Sequence, residues 1–286
     1  MSISQGIWQN PLRWSKLRCI KYEDLAVSDS GKGLLVDLDD FAKWIIFEDE
    51  NLLVINKPGW LVCHPSKNGP LSSLIGASRV YAGLDVMHIV NRLDRETSGV
   101  VLIAKNKLLG SALQKAMEYK QIKKTYLTIL EGRLDYDILV DRSMRKAPHG
   151  KVFIKQQVLA EGIVAKKCLT KFEPRYWSHK FTVCTVYPYT GKTHQIRAHA
   201  QSLGFPVVAD KIYGEDEMLY LEFIEKGWTP FLKKTLLLKR QALHAESIEI
   251  ELYGEQRKFV AELPEELSAL CQEIYTDKIG LGRGSN

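Results

Sequence analysis

Two widely separated stretches of this chain hold side chains suited to nucleophilic or acid–base chemistry. They are Asn91-Arg92-Leu93-Asp94-Arg95-Glu96-Thr97-Ser98-Gly99 and Thr190-Gly191-Lys192-Thr193-His194-Gln195-Ile196-Arg197-Ala198-His199. Asp94 stands between an apolar run and a small-residue turn, where another molecule can come close to its carboxylate. Arg92 and Arg95 are near enough in sequence to favour its ionised form. An ionised aspartate can attack as a nucleophile or accept a proton as a base. A lone aspartate ahead of Thr-Ser-Gly also suits a plain turn cap, so its company decides. Arg197, one turn inside a helix expected from His194 to Leu203, can send a guanidinium to Asp94 and hold it in a charge-assisted pair.

Other chemistries fit less well. His194 and His199 are five apart and fall on different helical faces, unlike the i, i+4 pair of a zinc helix. Gly191-Lys192-Thr193 lacks the upstream glycine of a phosphate-binding loop, and Gly31-Lys32-Gly33 lacks the third glycine of a dinucleotide fingerprint. No metal and no cofactor is expected. A hydrolytic glycosidase would need a second carboxylate across the bond, and Glu96, two residues from Asp94, has no evident placement for that role.

The elements that must position these residues can be read from periodicity. Ile45-Ile46-Phe47 and Leu52-Leu53-Val54-Ile55 flank Glu48-Asp49-Glu50-Asn51 as a hairpin of buried strands, with a turn at Lys57-Pro58-Gly59. Val100 to Ala104 suits a buried strand, and Leu109, Leu113, Ala116 and Met117 recur at helical spacing up to Tyr119. Strands are expected at Thr125–Leu130, Val152–Val158, Cys168–Phe172, Phe181–Val186 and Leu243–Leu252. Helices are expected at Glu217–Lys226 and Pro264–Tyr275; the one at His194 has Thr193 as its N-cap and Gly204 as its terminator. Strands outnumber helices without alternating strictly. This order predicts an α+β domain with a mixed, mostly antiparallel sheet flanked by helices. Residues 1–43 read as an irregular extension, 44–276 as one domain, and 277–286 as a flexible tail.

With 286 residues, 45% apolar and 26% charged, the chain can bury a sizeable core. No apolar run approaches the ~18 residues that would suggest a membrane span, and no signal-peptide core is visible, so a cytoplasmic protein without a membrane partner is expected. The five cysteines, Cys19, Cys63, Cys168, Cys184 and Cys271, are widely spaced and read as reduced structural thiols. The net charge is +6, and between Lys120 and Lys180 basic residues outnumber acidic ones. Such a flank can bind a polyanion or simply be a solvated surface. No coiled-coil seam is visible, and a monomer is expected.

With these segments in view, the chain resembles the RluA-type pseudouridine synthase family over about Ile45 to Tyr275. Besides the two stretches above, the likeness includes Asn56-Lys57-Pro58-Gly59, Lys124-Thr125-Tyr126-Leu127, Pro206-Val207-Val208-Ala209-Asp210-Lys211-Ile212-Tyr213-Gly214 and Ala242-Leu243-His244-Ala245. The resemblance implies the pseudouridine-synthase fold and conversion of uridines in structured RNA, transfer or ribosomal, to pseudouridine. It implies Asp94 as catalytic carboxylate and Arg197 as its partner. It implies that Tyr126 stacks on the target base and helps remove its proton. Arg92 would fill the gap left by the extruded nucleotide, and Ile196 would line the uracil pocket. Asn91, also counted with the substrate-binding residues, departs from the family's usual histidine. An S4-type domain, often present in the family, is not assigned to residues 1–43. The alternative is a non-catalytic RNA-binding homologue of the same fold.

Overall fold

The computed structural model describes residues 35–281 apart from 65–67, 149–150, 161, 164 and 166. The expectations for Cys19, Gly31 to Gly33, the rest of residues 1–34 and residues 282–286 lie outside the described residues. Helix α1 (Leu38–Lys43) opens the described chain, capped by Asp37, whose Oδ1 accepts from the backbone N–H of Asp39 at 2.8 Å and of Asp40 at 3.3 Å. This part of the segment expected to be irregular is therefore helical, because Asp37 satisfies its first orphan donors and Phe41 is fully buried.

Strands β1 (Ile45–Glu48) and β2 (Leu52–Lys57) form the expected hairpin, although β1 is only half-buried. Helix α2 (Leu74–Ala82), the short β3 (His88–Ile89), the buried β4 (Ser98–Ala104), helix α3 (Lys107–Glu118) and strand β5 (Lys123–Glu131) follow. Next come β6 (Ile138–Asp141), β7 (Met144–Lys146), β8 (Gln156–Val158), β9 (Leu169–Trp177), β10 (Phe181–Pro188) and helix α4 (Gln195–Ser202). Helices α5 (Met218–Lys226) and α6 (Pro230–Thr235), strands β11 (Leu243–Leu252) and β12 (Glu255–Val260), and helix α7 (Glu265–Leu281) complete the order.

One sheet runs β1-β2-β4-β11-β5-β10-β9-β6, with β3 beside β4 and β12 beside β11; β7 and β8 pair separately. Every pairing is antiparallel except β4 with β11. The mixed, mostly antiparallel sheet flanked by helices is thus the fold predicted from the strand order. Three element boundaries differ by more than two residues. The strand expected over Cys168–Phe172 runs from Leu169 on to Trp177. The strand expected over Val152–Val158 covers only Gln156–Val158, because Val152 turns inward to a cluster with Tyr213 and Tyr220. The helix expected to stop at Tyr275 continues to Leu281.

The parallel junction brings the two halves of the sheet together at the base of the Asp94 loop. His244 faces Ser98 and Ala245 faces Gly99, and Gly99 sits at φ +115° with the Ala245 backbone where a Cβ would be. Only glycine meets both demands. A Gly99→Ala substitution is expected to cost about 3 kcal/mol, from positive-φ strain and backbone collision together. A thermal melt within 2 °C of the parent would contradict this.

Apolar clusters lie on both faces of the sheet. Leu53, Ile55, Val101 and Ile103 pack with α1 and α2, whereas Leu52, Val54, Val100 and Leu102 pack beneath α3 and β12. A third cluster lies under β5, β9 and β10 and includes Ile196, Ala200, Leu267 and Ile274. Tyr126 touches the first and third clusters, at their junction. The four cysteines described, Cys63, Cys168, Cys184 and Cys271, are buried and none of them is in a disulfide.

Candidate active site

Asp94 lies in the loop between β3 and β4, a loop held by four side chains from three other parts of the chain. Lys57 Nζ, fully buried, donates to the carbonyls of Pro58 at 2.7 Å, Leu61 at 2.8 Å and Arg95 at 3.0 Å. Arg240 Nη1 donates to Glu96 O at 3.0 Å, Gln241 Nε2 donates to Thr97 Oγ1 at 2.7 Å, and Lys211 Nζ pairs with Glu96 Oε1 at 2.8 Å. Glu96 is thereby committed to a buried ion pair, which removes it as the second carboxylate of a glycosidase. Asn91 donates from Nδ2 to Val100 O at 3.0 Å and accepts from Leu102 N–H at 2.8 Å. Both ends of its amide are spent on the backbone of β4 and the residue is buried. In this structure it positions the loop.

Burial pushes the Lys57 ammonium down to about 7. Three carbonyl acceptors nevertheless need three N–H donors, which only the ammonium form supplies. Lys57→Met would orphan the Leu61 and Arg95 carbonyls, leave Pro58 O only a 3.5 Å bond from Leu61 N–H, and is expected to cost about 2–4 kcal/mol. The lysine binds its proton more weakly folded than unfolded, so the unfolded chain carries more protons between pH 7 and 10.5. The stability gap between the parent and the Met variant should therefore widen as pH rises through that window. Denaturant titrations at pH 6.5 and 9 check it; a gap that narrows would refute the assignment.

Arg197 reaches Asp94 from the first turn of α4. Its Nη1 donates to Asp94 Oδ2 at 2.8 Å, and the rest of the guanidinium is held by Asp210 through Nε–Oδ2 at 2.6 Å and Nη2–Oδ1 at 2.8 Å. Asp210 Oδ1 also accepts from the backbone N–H of Ile212 and Tyr213, each at 2.9 Å. The helix does not start as expected. Its N-cap is His194, in the left-handed region at φ 56° and without a side-chain cap bond, so Thr193 does not serve. Gln195 does the anchoring: its Oε1 accepts from Thr190 Oγ1 and Lys192 N–H, and its Nε2 donates to Leu169 O and Thr170 Oγ1. His194 bonds Tyr213 Oη at 3.1 Å and leaves Nε2 3.9 Å from Asp94 Oδ2.

Burial alone would raise the Asp94 carboxyl, but His194, Arg197 and Gln241 outweigh it and hold the group below its ordinary value of 3.8. The partners expected from sequence, Arg92 and Arg95, are not the ones that set this. Arg92 is exposed and places Nη1 2.8 Å from His64 Nε2 at the rim, and Arg95 is buried with its carbonyl on Lys57. Burial also keeps His194 below its usual 6.5, so at pH 7 the fixed cation beside the Asp94 carboxylate is Arg197. With 29% of its side chain exposed, Asp94 remains open to an incoming molecule.

Tyr126 is raised, first by burial and then by the Asp94 charge. Its phenol is therefore protonated at neutral pH, and a proton-accepting role requires that it lose this proton in a substrate complex. Ile196 is 6% exposed and shares an apolar cluster with Tyr126, behind the guanidinium. Asp210, Gln241 and Lys57 were missed as site residues. The available signal was a charge set among apolar neighbours, as in Val207-Val208-Ala209-Asp210 and Leu52 to Lys57, because such a charge must be paired or capped. Among the described residues no cluster of three His, Cys, Asp or Glu side chains is placed to hold a metal, and no helix is long and apolar enough to cross a membrane.

A family model described as RNA pseudouridylate synthase matches residues 51–202. An uncharacterized RNA pseudouridine synthase of Mycoplasma pneumoniae is 33% identical over 201 residues, which is 69% of this chain and 64% of that protein. The ribosomal large subunit pseudouridine synthase D of Xylella fastidiosa is 32% identical over 242 residues, or 82% of this chain and 70% of that one. In structure, human RNA pseudouridylate synthase domain containing 4 superposes with a TM-score of 0.65 at 19% identity, covering 83% of this chain and 95% of its own. That likeness is one of fold.

Proposed function

Because this chain belongs to the RNA pseudouridylate synthase family, we propose that it is an active enzyme that isomerises selected uridines of structured RNA to pseudouridine, with Asp94 as its catalytic carboxylate. Residues 44–276 form the catalytic domain, acting as a cytoplasmic monomer. The observation that carries the reading is the Asp94–Arg197 pair at 2.8 Å, backed by Asp210 and open to solvent on the aspartate side.

The reaction breaks the N1–C1′ bond, turns the uracil, joins C5 to C1′, and moves the C5 proton off the ring while N1 gains one. Atoms and electrons balance without a redox partner or phosphoryl donor. Asp94 either attacks C1′ or removes a sugar proton to give a glycal, and both routes need the ionised carboxylate that Arg197 maintains. To reach Asp94 the nucleotide must leave its stack. The ring of Tyr126 then offers a face to the base, and Arg92, exposed at the rim, supplies a cation for the vacated position.

The name of the Xylella relative puts large-subunit ribosomal RNA first among the RNAs to test, with transfer RNA beside it. Transcripts carrying tritium at uridine C5 should release it to water on incubation with the protein. Intact label in both RNAs would contradict the reading.

A further inference from the structure

Away from Asp94, a solvent-open groove of about 650 Å³ lies between α2 and α3 above β3. Its lining includes the ionisable side chains His64, Arg79, His88, Lys107, Lys115 and Glu118. Three of these are basic and one is acidic, beside the two histidines. Lys107, Lys115 and Glu118 come from one face of α3. All three are exposed, and among the described residues no ion pair neutralises Lys107 or Lys115. Gly110 brings α3 down onto β3, since a Cβ there would meet the His88 Cβ at 2.9 Å. At the inner end, Arg79 Nε is buried and has no hydrogen-bond partner. A buried guanidinium N–H left unpaired is costly unless an acceptor arrives.

The groove is joined to the reaction site. His64, which lines it, stands 2.8 Å from Nη1 of Arg92, and Arg92 belongs to the loop that carries Asp94. We infer that this groove binds phosphates of the RNA segment flanking the target uridine, with Arg79, Lys107 and Lys115 as the phosphate ligands. Spaced cations along an open groove suit a tracked backbone, and a guanidinium donor among them suits a phosphate oxygen. The inference rests on the reading of the chain as an RNA-modifying enzyme and adds a binding surface to it.

Lys107→Ala/Lys115→Ala removes two exposed charges without touching the core, and Lys258→Ala/Lys278→Ala removes the same charge from β12 and α7 as a control. Binding to unmodified large-subunit ribosomal and transfer RNA transcripts is measured from 50 to 300 mM salt, together with tritium release at saturating RNA. The groove pair should weaken binding about five- to tenfold near 0.15 M salt and flatten the log K against log salt slope by roughly 1.4, at ~0.7 per single-strand phosphate contact. kcat should stay that of the parent, and Arg79→Gln should shift binding in the same direction. If the groove pair matches the control pair while the parent still releases tritium, the groove has no such role and the enzymatic reading stands. If the parent modifies neither RNA, the enzymatic reading falls and the inference with it.

Discussion

An Asp210→Asn protein is expected to lose about 3–5 kcal/mol of folding stability, because the change leaves the Arg197 guanidinium buried with one of its two carboxylates gone. Arg197 and Asp210 have side chains 4% and 0% exposed, so water cannot replace the lost charge. The amide nitrogen would also set N–H against N–H in place of one of the 2.6 and 2.8 Å bonds, and the uncharged amide oxygen would cap Ile212 and Tyr213 more weakly. Activity should fall with stability, since Arg197 would no longer be fixed beside Asp94. The pH dependence has a definite sign. Burial opposes ionisation of Asp210, but Arg197 and the two backbone donors hold it below 3.8. Its stabilising contribution is therefore complete above that value and is lost as pH falls through the lower folded value. Denaturant midpoints of parent and variant should converge on acidification; equal midpoints at pH 7 would contradict the account.

Asp94→Asn should behave in the opposite way, with the fold kept and turnover abolished. Removing a sole nucleophile or base costs roughly 10⁴-fold or more in rate. Stability should move by no more than about 1 kcal/mol, because Asp94 is partly exposed and Arg197 keeps both bonds to Asp210. The loop keeps its clamps from Lys57, Arg240 and Gln241, so RNA affinity should stay within about threefold of the parent. Lost turnover together with lost binding would move Asp94 from the reaction to the scaffold.

Local pattern carried most of the fold. β11 lies where its alternating residues placed it, from Leu243 to Leu252, and the hairpin, β4, α3 and β10 stand close to their expected bounds. The parallel joining of β4 to β11 was not legible, since a strand's pattern names its buried face and not its neighbour. Thr193 looked like a cap by residue type, yet the helix starts one residue later, with His194 as its N-cap and Gln195 holding the first turn to β9. The Asp94–Arg197 pair was readable because two unusual segments each lacked a local purpose. Asp210, Lys211 and Lys57 lay within quoted segments, but their partners lie across long sequence separations, and only the folded chain shows which charge meets which. For Asn91, counted with the substrate-binding residues, only the folded chain shows that its amide bonds the backbone of β4 through both of its polar ends.

The most direct test of Asp94 as the reacting group compares tritium release from C5-labelled, unmodified ribosomal RNA by the parent and by Asp94→Asn, at RNA concentrations that saturate both. The account predicts sustained release by the parent and none above background by the variant, with matched RNA binding and matched melting curves. Release by the variant at a rate near the parent's would contradict it.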